Sequence, residues 1–87
     1  MALEIGFKPS FVRAMKHLEK ELIAEVLEKI ELFKNPENHE ALKVHKLHGA
    51  LSGRWSLSVN YKIRIVFRHV SKNFVELLAI GDHDVYR

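Results

Sequence analysis

The chain of 87 residues contains no cysteine, two prolines, four glycines and one tryptophan. Without cysteine there is no disulfide framework, no thiol nucleophile and no thiolate metal site, which fits a reducing compartment such as the cytoplasm. No apolar run approaches the roughly 20 residues of a membrane span. Met1-Ala2-Leu3-Glu4-Ile5 lacks the basic region and apolar core of a secretory signal. A glycine-rich phosphate loop is missing too, because neither Gly49 nor Gly53 is followed by the lysine and hydroxyl residue such a loop needs. His39, His45 and His48 are spaced six and three apart, which matches no zinc pattern, and no metal or other cofactor is expected. Ser52, Ser56 and Ser58 fall on loop or strand rather than on the sharp elbow of a nucleophilic serine.

What is present is the composition of one globular domain spanning residues 1–87, with 47% apolar and 29% charged residues. The net charge of +3 hides an asymmetry. Residues 1–42 carry six Lys/Arg against eight Glu, a net of −2; residues 43–87 carry eight Lys/Arg against three acids, a net of +5. A basic half is the electrostatic footprint of a polyanion partner, or else a solvated surface.

The hydrophobic pattern reads as α+β. Leu3, Ile5 and Phe7 alternate with polar or small residues, as in a half-buried strand. Pro9-Ser10 ends it, with Ser10 as a candidate helix N-cap. Phe11, Ala14, Met15, Leu18, Leu22, Val26, Ile30 and Phe33 then follow at helical spacing up to Asn35-Pro36. One straight helix of about 25 residues would be about 37 Å long. That is too long for so small a domain, so a bend or a helical hairpin is expected near Leu18–Glu21.

Residues 36–53 read as a polar connection. Trp55, Leu57 and Val59 point one way from the next strand, and Ser56 and Ser58 the other. After a tight turn at Asn60, a strand from Lys62 to Arg68 carries Ile63, Ile65 and Phe67 on one face and Lys62, Arg64, Val66 and Arg68 on the other. Ser71-Lys72-Asn73 turns into Phe74–Ile80, apolar on both faces except at Glu76, as for a strand inside a sheet. The expected layout is an N-terminal strand, two helices, then a three-stranded antiparallel meander, with the helices on one face of the sheet.

Several groups on the other face bear chemistry. Arg64 lies mid-strand between inward apolar residues, and its planar fork fits a phosphate; the alternative is a cross-strand ion pair with Glu76. Arg54, Lys62 and Arg68 are candidates for the same duty. His83 follows the last strand, and an imidazole can give or take a proton near neutrality. Asp82 and Asp84 flank it and favour the charged form wherever either approaches. His45 or His48 is a candidate base partner from the preceding loop. Tyr86 has a ring able to stack on a base or to pack the tail. Trp55 heads the apolar face of its strand and is read as core.

The stretch from Leu47-His48-Gly49-Ala50-Leu51-Ser52-Gly53-Arg54-Trp55 through Ser56-Leu57-Ser58-Val59, then Ile63-Arg64-Ile65-Val66-Phe67-Arg68, then Gly81-Asp82-His83-Asp84-Val85-Tyr86, resembles the RelE/ParE superfamily of toxin–antitoxin toxins. It is most similar to the mRNA-cleaving branch that includes RelE, YafQ and HigB. The resemblance implies a compact sheet-and-helix fold, a cognate antitoxin, and metal-independent cleavage of mRNA on the ribosome through attack by the ribose 2′-hydroxyl. By position it implies Arg64 as the phosphate-stabilising arginine. It also implies His83 and His48 as acid/base candidates and Tyr86 as the aromatic that follows. Lys46, Arg54, Lys62 and Arg68 complete the expected RNA contacts. Ser56 and Ser58 stand where many members carry Lys or Arg, which removes two expected phosphate contacts. Two rival readings follow: a ParE-like gyrase inhibitor that cuts nothing, and an attenuated toxin homologue that only binds RNA.

Overall fold

The computed structural model describes residues 2–82 and Val85. It is an α+β fold with five strands and two helices: β1 (Glu4–Phe7), α1 (Pro9–Lys16), α2 (Lys20–Phe33), β2 (His45–Lys46), β3 (Trp55–Ser58), β4 (Arg64–Ser71) and β5 (Phe74–Gly81). The sheet order is β1-β5-β4-β3-β2. The expected meander is β3-β4-β5. β1 lies parallel to β5 at one edge, and β2 is antiparallel to β3 at the other. β5 is therefore internal, as its two apolar faces require.

The helix break falls where length demanded it. His17 caps α1, and its ring Nδ1 donates to the Arg13 carbonyl at 2.8 Å. That carbonyl is the acceptor a continuing helix would have given to the backbone N–H of residue 17, so the side chain replaces the helical bond. Glu19 is extended, and α2 starts at the next residue. The N-cap of α1 is Lys8 rather than Ser10, and it makes no side-chain capping bond. Pro9 takes the first helical position, where its fixed φ costs nothing and its missing N–H had no partner to lose.

β4 begins at Arg64, two residues later than expected. Asn60 Oδ1 accepts from the backbone N–H groups of Lys62 and Ile63, each at 2.8 Å, and this side-chain turn holds Lys62 off the strand. Two residues of the polar connection, His45 and Lys46, pair with Ser56 and Trp55 as β2. A two-residue strand is too short to leave a periodic signature.

The core lies between the helices and one face of the sheet. Phe11 from α1 and Val26, Ile30 and Phe33 from α2 pack on Leu57, Ile65, Phe67, Val75 and Leu77. The Phe33 and Phe67 rings meet at 4.8 Å between centroids. Trp55 joins this side, as expected. No helix among the described residues is long and apolar enough to cross a membrane.

Candidate functional site

The helices leave the other sheet face uncovered by either of them. Residues directly opposite in antiparallel strands point the same way, so register assigns the side chains to faces. Ser58, Arg64 and Gly81 form one row; Ser56, Val66 and Ala79 form the next; Arg68 and Glu76 form a third. A bulge in β5 shapes this surface. Val66 pairs with Ala79 while Phe67 pairs with Leu77, leaving Leu78 as the extra residue. Leu77 enters the core, and Leu78 and Ala79 both line the open side.

Val66 and Ala79 of the second row and Arg68 and Glu76 of the third line an open cleft of about 600 Å³, which the Arg64 row does not reach. Its apolar lining is Val66, Leu78, Ala79 and Val85, and its charged groups are Lys8, Arg54, Arg68 and Glu76. Three cations against one carboxylate make it a site for an anion, and the apolar lining suits a flat ring. Arg68 Nε donates to Glu76 Oε1 at 2.9 Å. The cross-strand ion pair weighed for Arg64 therefore belongs to Arg68, because the bulge brings residue 76 opposite residue 68.

Arg64 is on this face but bound differently. Its Nη1 donates to the carbonyls of Asn60 and Ile63 in the β3–β4 turn. Asn60 is held in turn, donating through Nδ2 to Glu25 Oε1 of α2 at 2.8 Å. The Nε and Nη2 edge of Arg64 bonds no described residue. Among the described residues one side of the guanidinium is fixed and the other has no partner, an arrangement that presents a fork with little left to order.

Other expected contacts fall elsewhere. Lys62 is exposed in the β3–β4 turn. Lys46 pairs with Trp55, which puts it on the helix side of the sheet, away from Arg54 and Arg68. That correction follows from alternation, since a strand of two residues sends one side chain to each face. His48 is exposed and precedes the short 3₁₀ turn Gly49–Leu51. Ser56 is completely buried at the centre of the open face, so it is no free RNA contact. His83 and Tyr86 lie outside the described residues. Val85 packs near Gly81, where a Cβ would meet it at 3.6 Å. Among the described residues no cluster of three or more His, Asp or Glu is placed to hold a metal ion.

Lys8 joins this face although sequence reasoning did not assign it there, and His45, a candidate base from the preceding loop, is placed on it by β2. Lys8 comes from the acidic half of the chain, and its backbone N–H bonds to the Leu77 carbonyl at 3.0 Å, which extends β1 along β5. Only the parallel pairing of the two ends of the chain reveals it. His45, opposite Ser56, points to the open side next to that serine.

Neither a protein-family model nor a curated protein sequence matches the chain. Solved structures do match in fold. The archaeal RelE–RelB complex from Pyrococcus horikoshii aligns with a TM-score of 0.72 at 16% identity, over 94% of this chain and 96% of that one. The toxin–antitoxin complex RelBE2 from Mycobacterium tuberculosis gives 0.73 at 20% identity, over 95% and 100%. The YoeB–YefM complex from Staphylococcus aureus gives 0.72 at 23% identity, over 95% and 99%. The chain has the fold of the RelE and YoeB toxins.

Proposed function

We propose that this protein is the toxin of a type II toxin–antitoxin pair and an endoribonuclease that cleaves mRNA on the ribosome without a metal. The observation that carries the reading is the cationic cleft on the open face of a sheet with the RelE fold. Its arginines supply the positive charge that phosphodiester cleavage needs as charge builds on the phosphate oxygens. The free edge of Arg64 holds the scissile phosphate, and Arg54, Arg68 and Lys8 hold its neighbours. The 2′-oxygen attacks phosphorus and the bond to the 5′-oxygen breaks, leaving a 2′,3′-cyclic phosphate and a 5′-hydroxyl. His83 is assigned to protonate the leaving oxygen, and Tyr86 to stack on or orient the adjacent base. His48 is the base that family position suggests. The partners are mRNA, the ribosome and a cognate antitoxin, by analogy with the RelB and YefM complexes that share the fold. The place of action is the cytoplasm.

A salt titration tests the binding half of this reading. For a short single-stranded RNA, log K falls with log salt by about 0.7 for each phosphate neutralised. Arg54→Ala and Lys8→Ala are each expected to flatten that slope by about one such increment. Lys46→Ala, on the opposite face, is expected to leave it unchanged. An equal effect from Lys46→Ala would place the RNA elsewhere.

A further inference from the structure

The nuclease reading asks one guanidinium to meet a phosphate, and an arginine side chain left free spreads that group over many rotamers. The structure assigns Asn60 and Glu25 as the positioning residues that hold Arg64 for this task. This inference rests on the proposed function and goes further by adding two residues that touch no substrate.

Hydrogen bonds run in one chain from helix to guanidinium. Arg64 Nη1 donates to the carbonyls of Asn60 and Ile63, the latter at 3.3 Å. Those acceptors are only as fixed as the turn that carries them. The core sets the feet of the turn: Val59 and Ile63 are both buried, and the Val59 N–H donates to the Ile63 carbonyl at 2.9 Å. The Asn60 side chain sets the rest. Its Oδ1 accepts from the N–H groups of Lys62 and Ile63, each at 2.8 Å. Only the oxygen of the amide can meet two donors, so the NH₂ end is left for another partner. That partner is Glu25 of α2, whose Oε1 accepts from Nδ2 at 2.8 Å across 35 positions of sequence.

The layers give this tether its meaning. α2 packs on the helix side of the sheet, whereas register puts Arg64 on the open face. The bond from Asn60 to Glu25 therefore ties a group of the working face to the opposite layer. Its anchor is firm, because the neighbouring Val26 is fully buried in the core. Water could satisfy the Asn60 amide just as well, but water has no fixed place to offer. The guanidinium is planar and rigid, so holding Nη1 also holds the Nε and Nη2 edge that has no partner among the described residues. Freeing the turn lets that edge wander, and a misplacement of about 1 Å costs as much as about 10²-fold in rate.

The test is single-turnover cleavage of ribosome-bound mRNA by the full-length protein, with RNA affinity and the urea midpoint measured for each variant. Asn60→Asp keeps an oxygen for the two turn N–H groups but sets a carboxylate against Glu25, so it breaks the tether and spares the turn. It is expected to slow cleavage by about 10–100-fold with affinity within about twofold. Glu25→Ala is expected to act alike, and the conservative Glu25→Gln, which still accepts from Asn60, to keep most of the rate. Combining Glu25→Gln with Asn60→Asp puts an amide donor opposite the new carboxylate and reverses the direction of the bond. This double variant is expected to regain most of the rate, which a merely destabilised turn would not do. In an Arg64→Ala background, Asn60→Asp is expected to cost no further rate, because nothing remains to be positioned.

A cleaving wild type with a fully active Asn60→Asp overturns this inference alone. So does a loss as large in the Arg64→Ala background as in the wild type, or a double variant no better than Asn60→Asp. A wild type that cleaves no mRNA overturns the nuclease reading, and this inference with it.

Discussion

Replacing Phe67 with Ala is expected to destabilise the protein by about 4 kcal/mol. Phe67 is fully buried at the junction of the two layers. Its ring meets Phe33 of α2 at 4.8 Å and Trp55 of β3 at 6.4 Å, so truncation opens a cavity that both helix and sheet must line. Surrounding Ile65 and Leu77 are themselves buried and cannot collapse into the space without leaving their own contacts. For a domain of this size the total stability is about 4–13 kcal/mol, so the variant loses a third of it or nearly all. Urea unfolding measures this as a fall in the midpoint at unchanged slope. Leu32→Ala, at a residue 41% exposed on α2, serves as the control with a loss below about 1 kcal/mol. A Phe67→Ala loss no larger than that of the control would mean that the two layers are not joined through this ring.

Replacing Arg64 with Ala is expected to lower mRNA cleavage by about 10²–10³-fold, the usual effect of removing one preorganised donor from a developing oxyanion. The same change costs the fold less. Two turn carbonyls lose their charged donor, worth about 1–3 kcal/mol, but Asn60 retains its bonds to Glu25 and to the backbone of Lys62 and Ile63. Arg64→Lys separates the two roles. An ammonium can satisfy the turn carbonyls or approach the phosphate, but it has no second edge for the other task. The Lys variant is therefore expected to melt close to wild type while cleaving nearly as poorly as the Ala variant. Full activity in Arg64→Lys would show that only charge, and not the fixed fork, matters at this position.

The alternation of Trp55, Leu57 and Val59 against the serines, and of Ile65 and Phe67 against Arg64 and Arg68, was legible because a period of two needs only local sequence. The helix break was legible from length, but its cause was not, since nothing in the spacing reveals that the His17 ring competes for a helical carbonyl. What stayed hidden depended on register. Glu76 could be paired with Arg68 only once the bulge at Leu78 was known. Lys46 looked like one more cation of the basic half until its pairing with Trp55 turned it to the helix side. Lys8, from a half of the chain with net negative charge, reached the cleft through parallel pairing between the chain's two ends. His45 stood in a stretch read as loop, and its place on the open face follows from a two-residue strand that periodicity cannot detect. His83 and Tyr86 were named from their chemistry after the last strand and from the resemblance, and they lie outside the described residues, so their roles stand as part of the proposal.

The open face either cuts RNA or it does not, and primer extension on cellular mRNA minutes after brief induction decides this most directly. New 5′ ends inside translated reading frames, present with the wild-type protein and absent with Arg64→Ala, are the expected result. Intact mRNA accompanied by early DNA damage would contradict it and identify a toxin that acts on gyrase.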